Sequence, residues 1–111
     1  MIEATLSRAV SRRTGAAPHV CWLNCWRALT LDFEKVPFLA GAVYVEGLIS
    51  LREFPVWQEH AWLELGGVII EPTLCLFDWW TPDAHFYRAT ARASRLELLE
   101  RGTPEDFPLL G

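Results

Sequence analysis

Two adjacent glycines, Gly66 and Gly67, separate two apolar runs and constrain the fold of this 111-residue chain more than any other feature. The first run covers about residues 57–65, and the second, VIIEPTL, starts at Val68. Apolar runs split by a Gly-Gly pair are typical of a β-hairpin, because glycine readily adopts the positive φ angles of the tight turn. The sequence therefore predicts an antiparallel strand pair that turns at these glycines.

A two-residue turn at this position determines which residues of the hairpin face one another. Leu65 then lies opposite Val68, and the numbers of every further opposed pair have the same sum. In this register His60 and Glu71 are diagonal neighbours on one face, with Cα atoms about 7–8 Å apart, a gap that an imidazole and a carboxylate close by a hydrogen bond. A histidine oriented by a carboxylate is the base that a side-chain nucleophile needs.

The stretch HVCWLNCWRAL, residues 19–29, supplies the candidate nucleophile. Its apolar residues recur at helical spacing from about Val20 to Leu29, which predicts a helix that begins beside Cys21. A helix N-terminus and a neighbouring imidazolium both stabilise a thiolate. Cys25 lies one turn further in, where the effect of the helix dipole has faded. We therefore expect Cys21 to be the nucleophile and Cys25 to be an ordinary core thiol.

The first turn of this helix also contains candidates for an oxyanion site. The backbone N–H groups of Cys21 and Trp22 have no acceptor within the helix, so they are suited to bind the oxyanion of a tetrahedral intermediate. Asn24 has two alternative roles, as a structural residue of the helix or as a further contributor to this site.

Two residues of the predicted strands are candidates for the cleft. Trp62 shares the predicted face of His60 and would shield the catalytic pair from water. Glu46 interrupts an apolar strand, where a charge is costly unless it is paired, so we expect it to meet an arginine or to border the cleft. Four tryptophans are expected in the core: Trp57, Trp62, Trp79 and Trp80.

The remaining patterns place the hairpin in an α+β domain. Further helices and strands are predicted in five stretches, namely helices over residues 3–13 and about 92–101 and strands over 42–50, CLFDWW and HFYRAT. In the last helix, Leu96 and Leu99 are expected to face inward. N-terminal helices followed by sequential strands favour helices packed on an antiparallel sheet, in a single domain over residues 1–111.

In chain order, four stretches resemble the papain-like and transglutaminase-like superfamily of cysteine enzymes, in particular its small bacterial and phage members. The stretches are CWLNCWRAL from Cys21, YVEG at 44–47, HAWLEL at 60–65 and EPT at 71–73, within about residues 19–73. The resemblance implies a papain-like or transglutaminase-like core in which Cys21 is the nucleophile, His60 the general base and acid, and Glu71 the residue that orients the imidazole. The chain departs from the family pattern in having glutamate where aspartate is usual and no glutamine shortly before Cys21.

The function implied by this resemblance is a cysteine-dependent hydrolase or acyltransferase that acts on an amide bond of a protein or peptide. The acyl group would pass through a thioester, as in a peptidase, a deamidase or a transglutaminase-like enzyme, without a cofactor. The alternative is a protein-binding module, of phage or host-defence origin, that keeps the fold without the chemistry.

A zinc site made by Cys21, Cys25, His19 and His60 is a further hypothesis. Two cysteines separated by three residues on a regular helix lack the Cys-x-x-Cys turn of structural zinc sites, and the chain has no second pair of this kind. We therefore expect no metal.

Charge and composition exclude other classes of protein. A net charge of −4 gives no basic surface for nucleic acid, and no run of about 18 uncharged apolar residues is present that would cross a membrane. The first residues carry an acid early and three arginines late, the reverse of a secretory signal, and three cysteines suit no regular disulfide framework. We expect a cytoplasmic protein with reduced thiols, whose oligomeric state the sequence does not indicate.

Overall fold

The chain folds as an α+β structure built around an antiparallel sheet. The computed structural model describes residues 1–52, 54–83 and 85–110. Within these ranges the α-helices and strands are, in chain order, α1 (Ala4–Thr14), α2 (Cys21–Leu29), β1 (Val43–Leu51), β2 (Gln58–Leu65), β3 (Val68–Ile70), β4 (His85–Ser94) and α3 (Arg95–Arg101). The strand order is β3-β2-β1-β4, and every pair is antiparallel. The predicted α+β class with an antiparallel sheet is confirmed.

The hairpin between β2 and β3 has the predicted turn and register. Leu65 pairs with Val68, and Leu63 pairs with Ile70. The two turn glycines have φ angles of 56° and 83°, a region that residues with a side chain rarely adopt. The Gly-Gly turn thus determines which residues of β2 face the chain that follows β3.

Buried apolar clusters cover both faces of the sheet, because successive residues of a strand point to opposite sides. One cluster joins α2 to the sheet and includes Leu29 and Leu63. The other lies on the opposite face and includes Val45, Trp62 and Trp80. His60 lies two residues before Trp62 on β2, so both side chains are on this second face.

Gly47 makes room for this second cluster at the centre of the sheet. It lies in β1 opposite His60, where a β-bulge shifts the pairing between β1 and β4. A Cβ atom at this position would collide with the carbonyl oxygen of Arg88 and lie 2.8 Å from the ring of Trp62. The glycine of the YVEG motif therefore lets the tryptophan ring and the β4 backbone close over β1.

The strand predicted for CLFDWW is absent. The chain instead makes a 3₁₀ turn over Leu74–Leu76. The cause lies upstream, because the Glu71 carboxylate accepts hydrogen bonds from the backbone N–H groups of Thr73 and Leu74 and so bends the chain where a strand would continue.

The last helix starts later than predicted, and a different leucine faces inward. The strand β4 continues to Ser94, whose side chain forms a reciprocal capping box with Glu97 and so sets the helix start. Leu98 is fully buried, whereas Leu96 and Leu99 are 64% and 46% exposed, so the predicted inward face was wrong. Among the described residues, no helix combines the length and the apolar character required to cross a bilayer.

Candidate active site

His60 and Glu71, predicted from the hairpin register to be hydrogen-bonded, are bonded in the structure. Nε2 of His60 lies 2.7 Å from Oε1 of Glu71. Their side chains are only 7% and 0% exposed. The hairpin places the two groups together, because His60 lies on β2 and Glu71 follows the last residue of β3.

Among the described residues, four donors hold the Glu71 carboxylate. Oε1 accepts from His60 and from the Tyr87 hydroxyl, each at 2.7 Å, and Oε2 accepts from the backbone N–H groups of Thr73 at 3.2 Å and Leu74 at 3.0 Å. Burial by itself raises the pKa of Glu71. The charge of His60 and these hydrogen bonds outweigh burial and hold the pKa below its usual range, so the group is a carboxylate.

His60 is an imidazolium at neutral pH. Burial of the ring lowers its pKa, but the Glu71 charge, the nearby Cys21 side chain and the hydrogen bond to Glu71 act in the opposite direction, and the net result is a pKa of about 10. Since Nε2 faces Glu71, the remaining ring nitrogen, Nδ1, is the one available to Cys21.

Cys21 is the first residue of α2, as predicted from the sequence. Val20 precedes it and makes no side-chain capping bond, so the N-terminus of the helix has no side-chain cap. The Cys21 thiol is half-buried, contributes to the raised pKa of His60 and borders the same cleft as the imidazole. The side chains of Cys21, His60 and Glu71 therefore form one series of neighbours, in which His60 is hydrogen-bonded to Glu71, in the order that nucleophile, base and orienting acid require.

The two other thiols lie in different surroundings. Cys25 is fully buried, and burial together with the nearby Glu71 and Cys21 raises its pKa well above the usual value. Cys75 is half-buried like Cys21, and desolvation is the main cause that raises its pKa to about 11. Both environments favour the neutral thiol.

The first turn of α2 presents backbone donors next to the Cys21 thiol. The first backbone hydrogen bond of the helix runs from the N–H of Asn24 to the carbonyl of Val20, at 2.9 Å. The N–H groups of Cys21 and Trp22 precede this bond and have no acceptor within the helix. The Trp22 side chain packs against the core on the α2 side of the sheet, so only its backbone belongs to this arrangement.

Two roles were considered for Asn24, and the structure supports the structural one rather than a contribution to the oxyanion site. Its Nδ2 donates to the carbonyl of Ala17 at 2.7 Å and to Oγ1 of Thr73 at 2.8 Å, and its Oδ1 accepts from the Ala17 N–H at 3.0 Å. Both side-chain protons are therefore used in these bonds. Asn24 ties the loop before Cys21 to the turn after Glu71 and so holds the two ends of the candidate site together.

Glu46 lies on the other face of the sheet, away from His60. In the described part of the chain it meets no arginine. Its carboxylate accepts from the Tyr44 hydroxyl at 2.6 Å and from the backbone N–H groups of Leu109 at 2.6 Å and Leu110 at 3.0 Å. The expectation of an arginine partner or a place at the cleft was wrong, because the C-terminal backbone supplies the donors.

Trp62 lies beside the imidazole, as its position on β2 predicted. It is fully buried, and its ring stacks against His60 with centroids 6.2 Å apart and planes inclined by 22°. The rings of Trp62 and Tyr87 make an edge-to-face contact, with their centroids 4.9 Å apart. This aromatic contact covers the sheet side of the His60–Glu71 pair.

Tyr87 is a member of the site that sequence reasoning missed. The prediction of a strand over HFYRAT was correct, but the sequence does not indicate which strand it pairs with. In the structure Tyr87 pairs with Ile49 of β1, and this pairing places its hydroxyl against Glu71. No local pattern signals that contact, because it joins β4 at one edge of the sheet to the residue that follows β3 at the other edge.

A cleft of about 470 Å³ opens onto Cys21 and His60. Trp79 lies in its wall and is 51% exposed, so the expectation of a core position was wrong for this residue and for Trp57, which is 50% exposed. His19 also borders the cleft and has a φ angle of 68°, which is uncommon for a residue other than glycine.

Comparison of the chain with protein-family models, with curated proteins and with solved structures finds no match. Within residues 1–52, 54–83 and 85–110, no group of three or more histidine, cysteine, aspartate or glutamate side chains is arranged to hold a metal ion. The function must therefore be argued from the chemistry of the Cys21–His60–Glu71 series.

The pKa of His60 predicts a dependence of stability on pH. The pKa in the folded state, about 10, exceeds the ordinary value of 6.5, so the contribution of this group is fully present below the ordinary value and is lost as the pH rises toward the folded pKa. In a Cys21→Ala background, where no thiol loses a proton as His60 gains one, we expect the free energy of unfolding, measured in urea, to fall by up to about 1.4 kcal/mol per pH unit between about pH 6.5 and 8.5, before unfolded-state thiols titrate. A His60→Gln variant should lack this decline, and an equal decline in the variant would contradict the assignment.

Proposed function

We propose that this protein is a cysteine-dependent enzyme that acts on an amide bond of a protein or peptide through an acyl-thioester intermediate. Cys21 is the nucleophile, His60 the acid and base, and Glu71 the residue that orients the imidazole. The observation that carries the proposal is the hydrogen-bonded His60–Glu71 pair beside Cys21, which lies at a helix N-terminus and lines the same cleft as His60. A cysteine that opens a helix and faces a histidine on a strand is similar to a papain-like or transglutaminase-like core.

Acylation follows from this geometry. The imidazolium of His60 is the counter-charge for a thiolate at Cys21, whose sulfur attacks the amide carbon and forms the C–S bond. The electron pair of the C=O double bond moves to oxygen, and the N–H groups of Cys21 and Trp22, which have no acceptor within the helix, are suited to bind that oxyanion. His60 then donates its Nδ1 proton to the amide nitrogen, the C–N bond breaks and the amine leaves.

Deacylation uses the same groups in the opposite sense. His60, now neutral, takes a proton from water or from an amine as the oxygen or nitrogen attacks the thioester carbon. The C–S bond breaks, the sulfur leaves as a thiolate, and the imidazolium re-forms beside Glu71. Hydrolysis and transfer differ only in which of these two acceptors reaches the thioester.

Selective reaction of Cys21 is the first test. Substoichiometric iodoacetamide at about pH 6, roughly two units below the pKa of an ordinary thiol, should label Cys21, with the site mapped by peptide mass spectrometry. Cys75 is the internal control, because it is half-buried like Cys21 but lies in surroundings that favour the neutral thiol. A His60→Ala variant should lose the selectivity.

Two outcomes would count against an active nucleophile. Equal labelling of Cys21 and Cys75 would show that exposure alone sets reactivity. Protection of all three thiols until the protein is denatured would favour the protein-binding module over the enzyme.

Replacement of Glu71 by glutamine should lower activity by forcing the wrong tautomer of His60. Glutamine has a single acceptor oxygen, which must face the backbone N–H groups of Thr73 and Leu74, so its NH₂ group faces Nε2 of His60. That nitrogen accepts only when the imidazole proton is on Nδ1, and this tautomer has no lone pair for the Cys21 proton. We expect cleavage of peptide amides to slow by about 10²- to 10⁴-fold, with the fold retained by circular dichroism.

The chain offers a matched control for this substitution. Glu46 is also a buried carboxylate that accepts one tyrosine hydroxyl and two backbone N–H groups, on the opposite face of the sheet. A Glu46→Gln variant should suffer a comparable perturbation of its fold and keep the wild-type rate. Full activity in Glu71→Gln would remove Glu71 from the proposed site.

A further inference from the structure

The cleft above Cys21 has walls that are mainly apolar. Ile49 and Leu51, at the end of β1, form one side, and Leu74, Phe77 and Trp79, in the segment after β3, form another. A volume of about 470 Å³ lies within the range of cavities that hold small organic groups. The walls therefore suit a side chain of the substrate, next to the bond that Cys21 attacks.

Two aromatic rings give one wall a rigid flat surface. The rings of Phe77 and Trp79 stack with centroids 5.3 Å apart and planes inclined by 16°. The indole of Trp79 is 51% exposed, whereas its neighbour Trp80 is 4% exposed and belongs to the core. An exposed indole supported by a second ring favours further aromatic contact, because aromatic pairs gain free energy beyond the area they bury.

The charges around the cleft exclude one class of side chain. Among its described lining residues, Glu59 is the one carboxylate, and neither lysine nor arginine is present. An anionic side chain would meet no counter-charge there except the His60 imidazolium, which is already paired with Glu71. Gln58 and Thr73 in the lining offer hydrogen bonds to a glutamine side chain, but its carboxamide does not match the aromatic surface formed by Phe77 and Trp79.

We propose that the cleft binds a large uncharged apolar side chain, above all an aromatic one, on the acyl side of the scissile amide. The substrate class is thus a protein or peptide segment with such a residue, rather than a glutamine side chain or an acidic peptide. The position relative to the scissile bond rests on the proposed function, whereas the binding preference does not.

Binding to a catalytically silent chain tests the preference separately from catalysis. In the full-length Cys21→Ala variant, blocked peptide amides that differ only in one residue, Phe, Gln or Asp, are titrated by calorimetry. We expect the Phe peptide to bind about 3- to 10-fold more tightly than the Gln or Asp peptide. This ratio corresponds to the free energy of about one aromatic contact. Trp79→Ala in this background should abolish the difference.

Trp57→Ala is the matched control, because Trp57 is as exposed as Trp79 but does not line the cleft. It should leave the preference unchanged. Equal affinity for the three peptides, or an equal loss in the Trp57→Ala variant, would overturn the cleft assignment. Preferential binding of the Phe peptide with no turnover by the wild-type chain would support the cleft assignment and count against the proposed function instead.

The hydrogen bond from Tyr87 to Glu71 carries a second and independent inference. The hydroxyl donates to Oε1 at 2.7 Å, the same oxygen that binds Nε2 of His60. The titratable groups that face Glu71 are His60 on β2, Tyr87 on β4, Cys25 on α2 and Cys75 in the 3₁₀ turn. Burial and the Glu71 charge raise the pKa of Tyr87, so its hydroxyl keeps its proton. Among these groups, Tyr87 is the neutral donor to the oxygen that also binds His60.

We infer that Tyr87 is a positioning residue, which holds Oε1 of Glu71 in line with His60 and keeps the carboxylate ionised. Without the hydroxyl, Oε1 loses a donor, and protonation of Glu71 becomes easier. The consequence is a change in the pH dependence of activity, which loss of packing alone would not produce.

The comparison of Tyr87→Phe with Tyr44→Phe tests this role. Tyr44 donates to Glu46 in the same way on the opposite face, so its variant controls for loss of a buried tyrosine–carboxylate bond. In Tyr87→Phe we expect a lower kcat with little change in KM, and an acid limb of the pH–rate profile moved up by about one unit. Tyr44→Phe should leave the limb in place. A uniform loss of rate with no shift in Tyr87→Phe, or the same shift in both variants, would overturn the inference.

Discussion

The hydrogen bonding of the buried Glu71 carboxylate is the interaction on which the site and much of the surrounding chain depend. A buried charge is tolerated only when it is paired and fully hydrogen-bonded. Glu71 meets this requirement with donors from β2, from β4 and from its own following turn. The same carboxylate therefore bends the chain after β3, sets the protonation state of His60 and brings the Tyr87 hydroxyl toward the imidazole.

The two faces of the sheet use the same device for different purposes. On one face Tyr87 donates to Glu71, which holds His60, and on the other Tyr44 donates to Glu46, which holds the backbone of the C-terminal segment. The first carboxylate has a titratable partner and borders a cleft, whereas the second has only a tyrosine and backbone amides. The partners, rather than burial itself, separate a candidate catalytic carboxylate from a structural one.

Cys21 is held in this arrangement by α2, of which it is the first residue, and by the loop that precedes it. The helix α2 packs on the sheet through Leu29 and its neighbours. Asn24, one turn into the helix, bonds both to the preceding loop and to Thr73 beside Glu71. Cys21 and Glu71, the two ends of the candidate site, are thus connected by a structural asparagine as well as by the imidazole between them.

The sequence by itself determined the features that depend on local periodicity and on turn geometry. A Gly-Gly turn and the alternation of strand residues were sufficient to place His60 beside Glu71, and helical spacing was sufficient to begin α2 at Cys21. Only the tertiary structure decided the position of Tyr87, the backbone partners of Glu46 and the exposure of Trp79. These features depend on which distant segments meet, and the free energy of such contacts is shared over the whole packed structure and leaves no pattern in neighbouring residues.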